Sequence, residues 1–199
     1  VPVTLFNESG NEVAKTTTST NGRYSFDNVP AAKYALFFDA GAVYQMTRFR
    51  TGLATADSDA GPGNKTPLIN FENTSADIHT DAGFFRYASI GDFVWNDLNK
   101  NGLQDSGEPG VSGVNLRLVD QNDVVVATLT TGNFGFYFFS NITPGTYTVK
   151  ADLPDGFLLT DVDLTNNLLN SDFYTLSGKV TTDEIQIASN SIIFSVDLG

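Results

Sequence analysis

The chain has no cysteine, and it has one tryptophan, one methionine and one histidine. The lack of cysteine excludes disulfides, zinc–thiolate centres and cysteine nucleophiles. Basic residues are scarce: 11 Lys+Arg stand against 23 Asp+Glu, a net charge of −12. Such a surface repels nucleic acid and anionic membranes and suits metal cations. No apolar run is long enough to span a bilayer, and there is no signal peptide or lipidation motif, so no membrane insertion is expected. The glycine patterns that cradle phosphates and the G-x-S-x-G turn of serine hydrolases are missing. His79 sits in Asp77-Ile78-His79-Thr80-Asp81, which alternates like a solvent-facing strand and offers no partner for a catalytic base. Carboxylates are plentiful, but short-turned β-modules offer no cleft for an acid pair. The expectation is that the chain is not an enzyme.

What is present is aromatic, turn-rich and repetitive. The 199 residues include 16 Phe, 7 Tyr and 18 Gly. Apolar residues alternate in Tyr24-Ser25-Phe26 and Tyr147-Thr148-Val149. Turn signals recur at Glu8-Ser9-Gly10-Asn11, Thr20-Asn21-Gly22, Gln121-Asn122-Asp123 and Thr143-Pro144-Gly145. No stretch sustains a helical period. Self-comparison aligns Gly22-Arg23-Tyr24-Ser25-Phe26 with Gly135-Phe136-Tyr137-Phe138-Phe139, and Asp57-Ser58-Asp59 with Asn170-Ser171-Asp172. Asp81-Ala82-Gly83 likewise aligns with Asp197-Leu198-Gly199. A repeat of this kind marks two copies of one module. The expected division is 1–88, a copy lacking its opening segment, and 89–199, a complete copy. The start at Val1-Pro2-Val3, already strand-like, reads as part of a longer protein. The fold class expected is all-β, as two tandem immunoglobulin-like sandwiches of about seven strands each. Phe84–Trp95, which joins the copies, holds no flexible linker sequence, so the modules are expected to abut.

The acidic excess is local. Residues 1–88 carry 7 Lys+Arg and 9 Asp+Glu, whereas 89–199 carry 4 and 14. Within the second copy, Asp97-Leu98-Asn99-Lys100-Asn101-Gly102-Leu103-Gln104-Asp105-Ser106-Gly107-Glu108 fits the twelve-residue calcium loop D-x-[DN]-x-[DN]-G-x5-E. Calcium is a hard ion that takes six to eight oxygens. Asp97, Asn99 and Asn101 alternate so that successive side chains turn to one centre. Gly102 allows the sharp turn, Leu103 supplies a carbonyl, and Asp105 and Glu108 supply carboxylates. No helix pair flanks the loop, which separates it from EF-hand sensors. Asp57, Asp59, Asp120, Asn122 and Asp172 form a second candidate set, equally readable as solvated acidic turns. Asp123, Asp161 and Asp163 are further candidates to meet it in space.

The run Ile90-Gly91-Asp92-Phe93-Val94-Trp95-Asn96-Asp97, continuing to Glu108-Pro109-Gly110-Val111, resembles the opening of the serine-aspartate repeat protein B domain. That domain is a calcium-binding relative of collagen-adhesin B-type modules. Gly135-Phe136-Tyr137-Phe138, Pro144-Gly145-Thr146-Tyr147 and Leu153-Pro154-Asp155-Gly156-Phe157 also fit. The resemblance covers 89–199, and a headless copy covers 1–88, where Ala31-Ala32-Lys33-Tyr34 departs from Pro-Gly-x-Tyr. It implies a prealbumin-like sandwich holding Ca2+ at Asp97, Asn99, Asn101, Leu103, Asp105 and Glu108, with further calcium sites. It implies a bacterial cell-surface or secreted location, and a stalk between an adhesive head and the cell. Neighbouring modules of the same chain would be its partners, and a host or matrix ligand would be met by a separate adhesive domain. A direct ligand-binding role for these modules is the alternative. The Lys–Asn isopeptide of many B-type modules is not expected, because Gly91–Trp95 has no Lys and Phe194–Gly199 no Asn.

Overall fold

The computed structural model describes residues 1–50, 57–71, 79–161 and 169–199. Two compact units are present, Val1–Arg86 and Tyr87–Gly199. Both are built from β-strands, and among the described residues the helical content is a single 3-10 turn at Asn133–Gly135.

In the first unit β1 (Pro2–Asn7), β2 (Glu12–Thr17), β3 (Lys33–Phe38) and β5 (Ile69–Asn70) form one sheet in the order β2-β1-β3-β5. A two-stranded ladder joins β4 (Gln45–Met46) to β6 (Phe84–Phe85). The β1–β2 hairpin closes over Asn7–Asn11, where Gly10 takes a φ of 79° and the Asn7 side chain accepts from the Asn11 N–H. Alternation puts Val3 and Leu5 of β1 with Tyr34, Leu36 and Phe38 of β3 into one core. Tyr24 and Phe26 pack on that core, yet residues 23–27 form no strand, contrary to their alternation. The reason is visible in the second unit. There the equivalent residues lie in β10 (Phe136–Ile142), which hydrogen-bonds to β7 (Ala88–Phe93). Among the described residues of the first unit, no strand pairs with residues 23–27. His79, Thr80 and Asp81 are not in a strand either, while Asp77 and Ile78 lie outside the described residues.

The described residues of the second unit form two sheets. One is β10-β7-β15, where β15 (Ile192–Phe194) runs parallel to β7. The other has the order β12-β13-β11-β8-β9, from β8 (Asn115–Asp120), β9 (Val125–Thr130), β11 (Gly145–Asp152), β12 (Tyr174–Leu176) and β13 (Lys179–Thr181). β14 (Ile185–Ile187) pairs with β11 beside this path. One core joins the inward residues of both sheets: Ile90, Tyr137 and Phe139 meet Leu116, Leu118 and Val149. Trp95 is 1% exposed and so belongs to the interior. The units share small devices. Tyr34 donates its hydroxyl to the Pro30 carbonyl and Tyr147 to the Thr143 carbonyl, each four residues back and each at 2.9 Å. These ties hold the turn entering β3 and β11 in the manner of a tyrosine corner.

Candidate metal centre

The loop Asp97–Glu108 leaves the end of the first strand of the second unit and returns at Gly110, which bridges to Trp95. Its turns use left-handed backbone at Lys100 (φ 61°), Gly102 (φ 76°) and Gly107 (φ 101°). At Gly102 this conformation lets the backbone N–H reach Asp97 Oδ2 at 2.8 Å. The other Asp97 oxygen accepts from the Lys100 N–H at 2.6 Å. The Thr160 hydroxyl adds a third bond to Asp97 Oδ2 at 2.6 Å. Burial pushes the Asp97 pKa up, but the bonds from Thr160 and the backbone N–H groups of Gly102, Lys100 and Asn101 outweigh it and hold the carboxylate below its ordinary value.

The remaining predicted ligands close on one another. Asn99 and Asn101 both donate their side-chain amides to Asp105 Oδ2, at 2.7 and 2.8 Å. Their amide oxygens accept from the N–H groups of Asn101 and Leu103. Glu108 folds back across the loop, accepting from Leu98 N–H at 2.9 Å and Asp105 N–H at 3.0 Å. The loop is also docked. Gln104 donates to the Leu169 carbonyl at 2.8 Å, Ser171 donates to the Gly102 carbonyl at 3.2 Å, and Leu103 bridges to Asn170. Asn99 and Asn101 therefore meet Asp105 through their amide N–H groups, and the residue set as a whole, three carboxylates, two amide oxygens and a backbone carbonyl, is the all-oxygen set that a hard cation takes. Among the described residues no three His, Asp or Glu side chains are gathered into a metal-holding group. The carboxylates of Asp97, Asp105 and Glu108 are instead spread around the loop on hydrogen bonds.

The second candidate set is divided between two kinds of structure. Asp120 closes the β8–β9 hairpin by accepting from the Asn122 and Val124 N–H groups, each at 2.9 Å. These bonds lower its pKa, the Val124 one most. Asp123 pairs with Lys150 at 2.5 Å. Asp59 and Asp172 serve a clasp that each unit repeats. Asp59 donates its N–H to the Asp81 carbonyl and accepts the Asp81 N–H on Oδ2, at 2.7 and 2.9 Å. Asp172 and Asp197 do the same at 2.9 and 2.8 Å. Ser58 and Ser171 then accept the N–H of Gly83 and Gly199. Asp57 has one buried carboxylate oxygen with no hydrogen-bond partner. Asp161 lies in a segment without strand, and Asp163 is outside the described residues.

Two features are not announced by any local motif. Nothing in the sequence around Thr160 marks it as the group above Asp97. Asp197 is 1% exposed and lies with Asp92, Asp172 and Tyr137. Burial first, then the charges of Asp92 and Asp172, push its pKa up to about 8, against a bond from the Phe93 N–H. The same surroundings push Tyr137 well above its ordinary value. The repeat does carry a signal for this cluster: the paired Asp59…Asp81 and Asp172…Asp197 recur with Tyr24 and Tyr137 in both copies.

Comparison with known proteins gives a consistent identity to both units. The profile of the SdrD B-like domain matches residues 1–84 and again 88–199. The chain belongs to the SdrD B-like domain family. Serine-aspartate repeat-containing protein D of Staphylococcus aureus is 33% identical over 196 residues, 98% of this chain and 14% of that protein. Serine-aspartate repeat-containing protein F of Staphylococcus epidermidis is 34% identical over 200 residues, 99% of this chain and 11% of that protein. The chain thus spans about one seventh or less of the length of these curated relatives. Among solved structures, the Bacillus anthracis TIE protein aligns over 98% of this chain and 29% of its own, at 14% identity and a TM-score of 0.38. The minor pilin of Streptococcus agalactiae aligns over 99% and 81%, at 12% identity and a TM-score of 0.34.

Proposed function

We propose that the chain is a calcium-stabilised structural spacer of a bacterial cell-surface adhesin, made of two tandem B-type modules over 1–88 and 89–199. It is a structural component and not an enzyme. The observation that carries the calcium reading is the closed Asp97–Glu108 loop, which brings Asp97, Asn99, Asn101, Asp105 and Glu108 together in one turn, with Glu108 folded back onto the Leu98 and Asp105 N–H groups. Asp97, Asn99, Asn101, the Leu103 carbonyl, Asp105 and Glu108 would hold the ion, which would supply positive charge to the loop's three carboxylates. The protein's own part is to keep Asp97 deprotonated through Thr160 and to fasten the loop to residues 169–171. In this reading the module sits outside the cell, flanked by neighbouring modules of the same chain, and host contact belongs to a separate adhesive domain.

The exposed aromatic row of the second unit bears on the alternative, a ligand-binding adhesive module. Phe136, Phe138 and Phe194 line the outer face of the β10-β7-β15 sheet. Phe138 and Phe194 stack at 5.1 Å with 14° between planes, and Phe136 stacks on Phe138 at 6.3 Å and 19°. Gly91 lies between Phe138 and Phe194 in register, with no side chain to separate them. The rings spend their faces on one another, which disfavours a sugar-stacking platform.

The spacer reading is tested by thermal unfolding in EGTA and in millimolar calcium, beside Glu108→Gln. A ligand at about 100 times its dissociation constant adds about 2.7 kcal/mol, or roughly 10 °C or more for a domain of this size. The wild type is expected to show that rise and Glu108→Gln to lose most of it. Equal melting of the wild type in both buffers would remove calcium from the reading.

A further inference from the structure

Among the described residues, β9 ends one side of the larger sheet of the second unit, with β8 as its strand partner. Val124, Val125 and Val126 are each about half exposed, at 55%, 48% and 46%. From Val124 to Thr131 the sequence Val-Val-Val-Ala-Thr-Leu-Thr-Thr contains no charge, no proline and no glycine. An edge strand presents unpaired N–H and C=O groups to any other strand, and proteins guard such edges with charges, prolines or bulges.

The first unit guards the same edge. Its β2 corresponds to β9 in the repeat and also ends its sheet. Glu12 and Lys15 stand there in place of Val125 and Thr128, exposed and paired at 2.7 Å. A register shift occurs in both hairpins, between Leu5 and Phe6 and between Leu118 and Val119. The bulge is therefore common to both edges, and the charges are what β9 lacks.

We infer that β9 is an association edge that pairs antiparallel with β9 of a second copy of this chain. The outer backbone groups of β9, which no described strand pairs, select an extended strand as occupant. Charge selects the partner and its direction. The chain carries −12 overall, so contact between copies is repulsive wherever acidic residues dominate, and β9 is uncharged along its length. The nearest acids in sequence, Asp120 at the end of β8 and Asp123 in the turn that follows, lie just before β9. Antiparallel pairing sets the two acidic turns at opposite ends of the shared edge, about 20 Å apart for six residues. That exceeds the Debye length of about 8 Å at physiological salt. Parallel pairing would place them side by side. Antiparallel pairing also sets β-branched side chains of one copy opposite those of the other, a favourable cross-strand match.

The test is sedimentation velocity of the whole chain over a wide concentration range, in EGTA and in calcium, so that it stands apart from the calcium reading. The mass is expected to rise from 21.4 kDa towards the dimer. Val126→Lys/Thr128→Lys, which puts like charges on the edge in any register, should raise the dissociation constant at least about tenfold. Leu176→Lys, on the exposed opposite edge strand β12, should leave it unchanged. Single cysteines at Val126, Thr128 and Thr130, in otherwise wild-type chains that contain no other cysteine, provide a second measurement. The site at the two-fold axis of the antiparallel pair should form a dimer disulfide under mild oxidation, and which site crosslinks reports the register. A chain that stays monomeric, a dimer indifferent to the lysine pair, or one equally weakened by Leu176→Lys would each overturn the assignment.

Discussion

Gly135→Ala is expected to destabilise the second unit by about 3 kcal/mol or more, the range that only a severe backbone clash or core defect produces. Gly135 has a φ of 83°, and a Cβ there would lie 2.0 Å from the Val94 carbonyl oxygen and 2.9 Å from Gly110 Cα. Gly110 faces it, and a Cβ on Gly110 would lie 1.7 Å from the Phe134 carbonyl oxygen. Both clashes are with backbone, which no side-chain rotation relieves. The segments must separate, and two bonds at this crossing go with them: Val94 N–H to the Gly135 carbonyl at 2.9 Å and Val111 N–H to the Val94 carbonyl at 2.8 Å. Gly110 stands two residues beyond Glu108, so the crossing also anchors the return of the metal loop. Denaturant unfolding followed by Trp95 fluorescence reads this unit alone, since Trp95 is the only tryptophan and is buried in it. Gly156→Ala is the control. Its φ is 87° but nothing lies near a Cβ there, so only the left-handed backbone cost of about 1–2 kcal/mol applies. If the two variants lose equal stability, close packing of the crossing is not what holds it.

A second large effect is expected with pH. The Asp197 carboxyl has a folded pKa of about 8, against an ordinary value of 3.8. Its folded form therefore holds a proton more tightly than the unfolded chain does. Stability from this group is fully present below the unfolded value and is lost as pH rises through about 8. Asp172 and Asp92 are also raised, chiefly by burial, and act in the same direction. Asp97 is lowered and acts oppositely, adding stability above its unfolded value. In EGTA, the second unit is expected to lose on the order of a few kcal/mol between about pH 4 and about pH 8. Asp197→Asn keeps an oxygen for the Phe93 N–H and removes the titration, so its curve should be much flatter. Trp95 fluorescence unfolding across that range decides it, and parallel curves for wild type and variant would show that Asp197 does not control the slope.

Much of this protein is legible in its amino-acid sequence. Alternation and turn chemistry are local, so the all-β class and the hairpins at Asn7–Asn11 and Asp120–Val124 follow from neighbouring residues alone. The calcium-type loop is also local, since its six candidate ligands lie within twelve positions. The repeat is a property of the string itself, and it already pairs Asp59 with Asp172 and Asp81 with Asp197. Local pattern misleads where a partner is needed. Tyr24-Ser25-Phe26 alternates like a strand, but alternation describes which side chains are buried, and a ladder needs a second strand.

The tertiary structure decided what depends on residues remote in sequence. Thr160 reaches Asp97 across 63 positions, and Asp197 reaches the Phe93 N–H across 104. No period or motif encodes such meetings, because they follow from how sheets close on a core. For the same reason only the structure shows that Asp120 closes a hairpin and that Asp59 and Asp172 serve a clasp: a carboxylate satisfied by nearby N–H groups is indistinguishable in sequence from one awaiting an ion. The bare edge at β9 also needed both kinds of information. Its lack of charge is written in the sequence, but only the strand order shows that it lies at an edge.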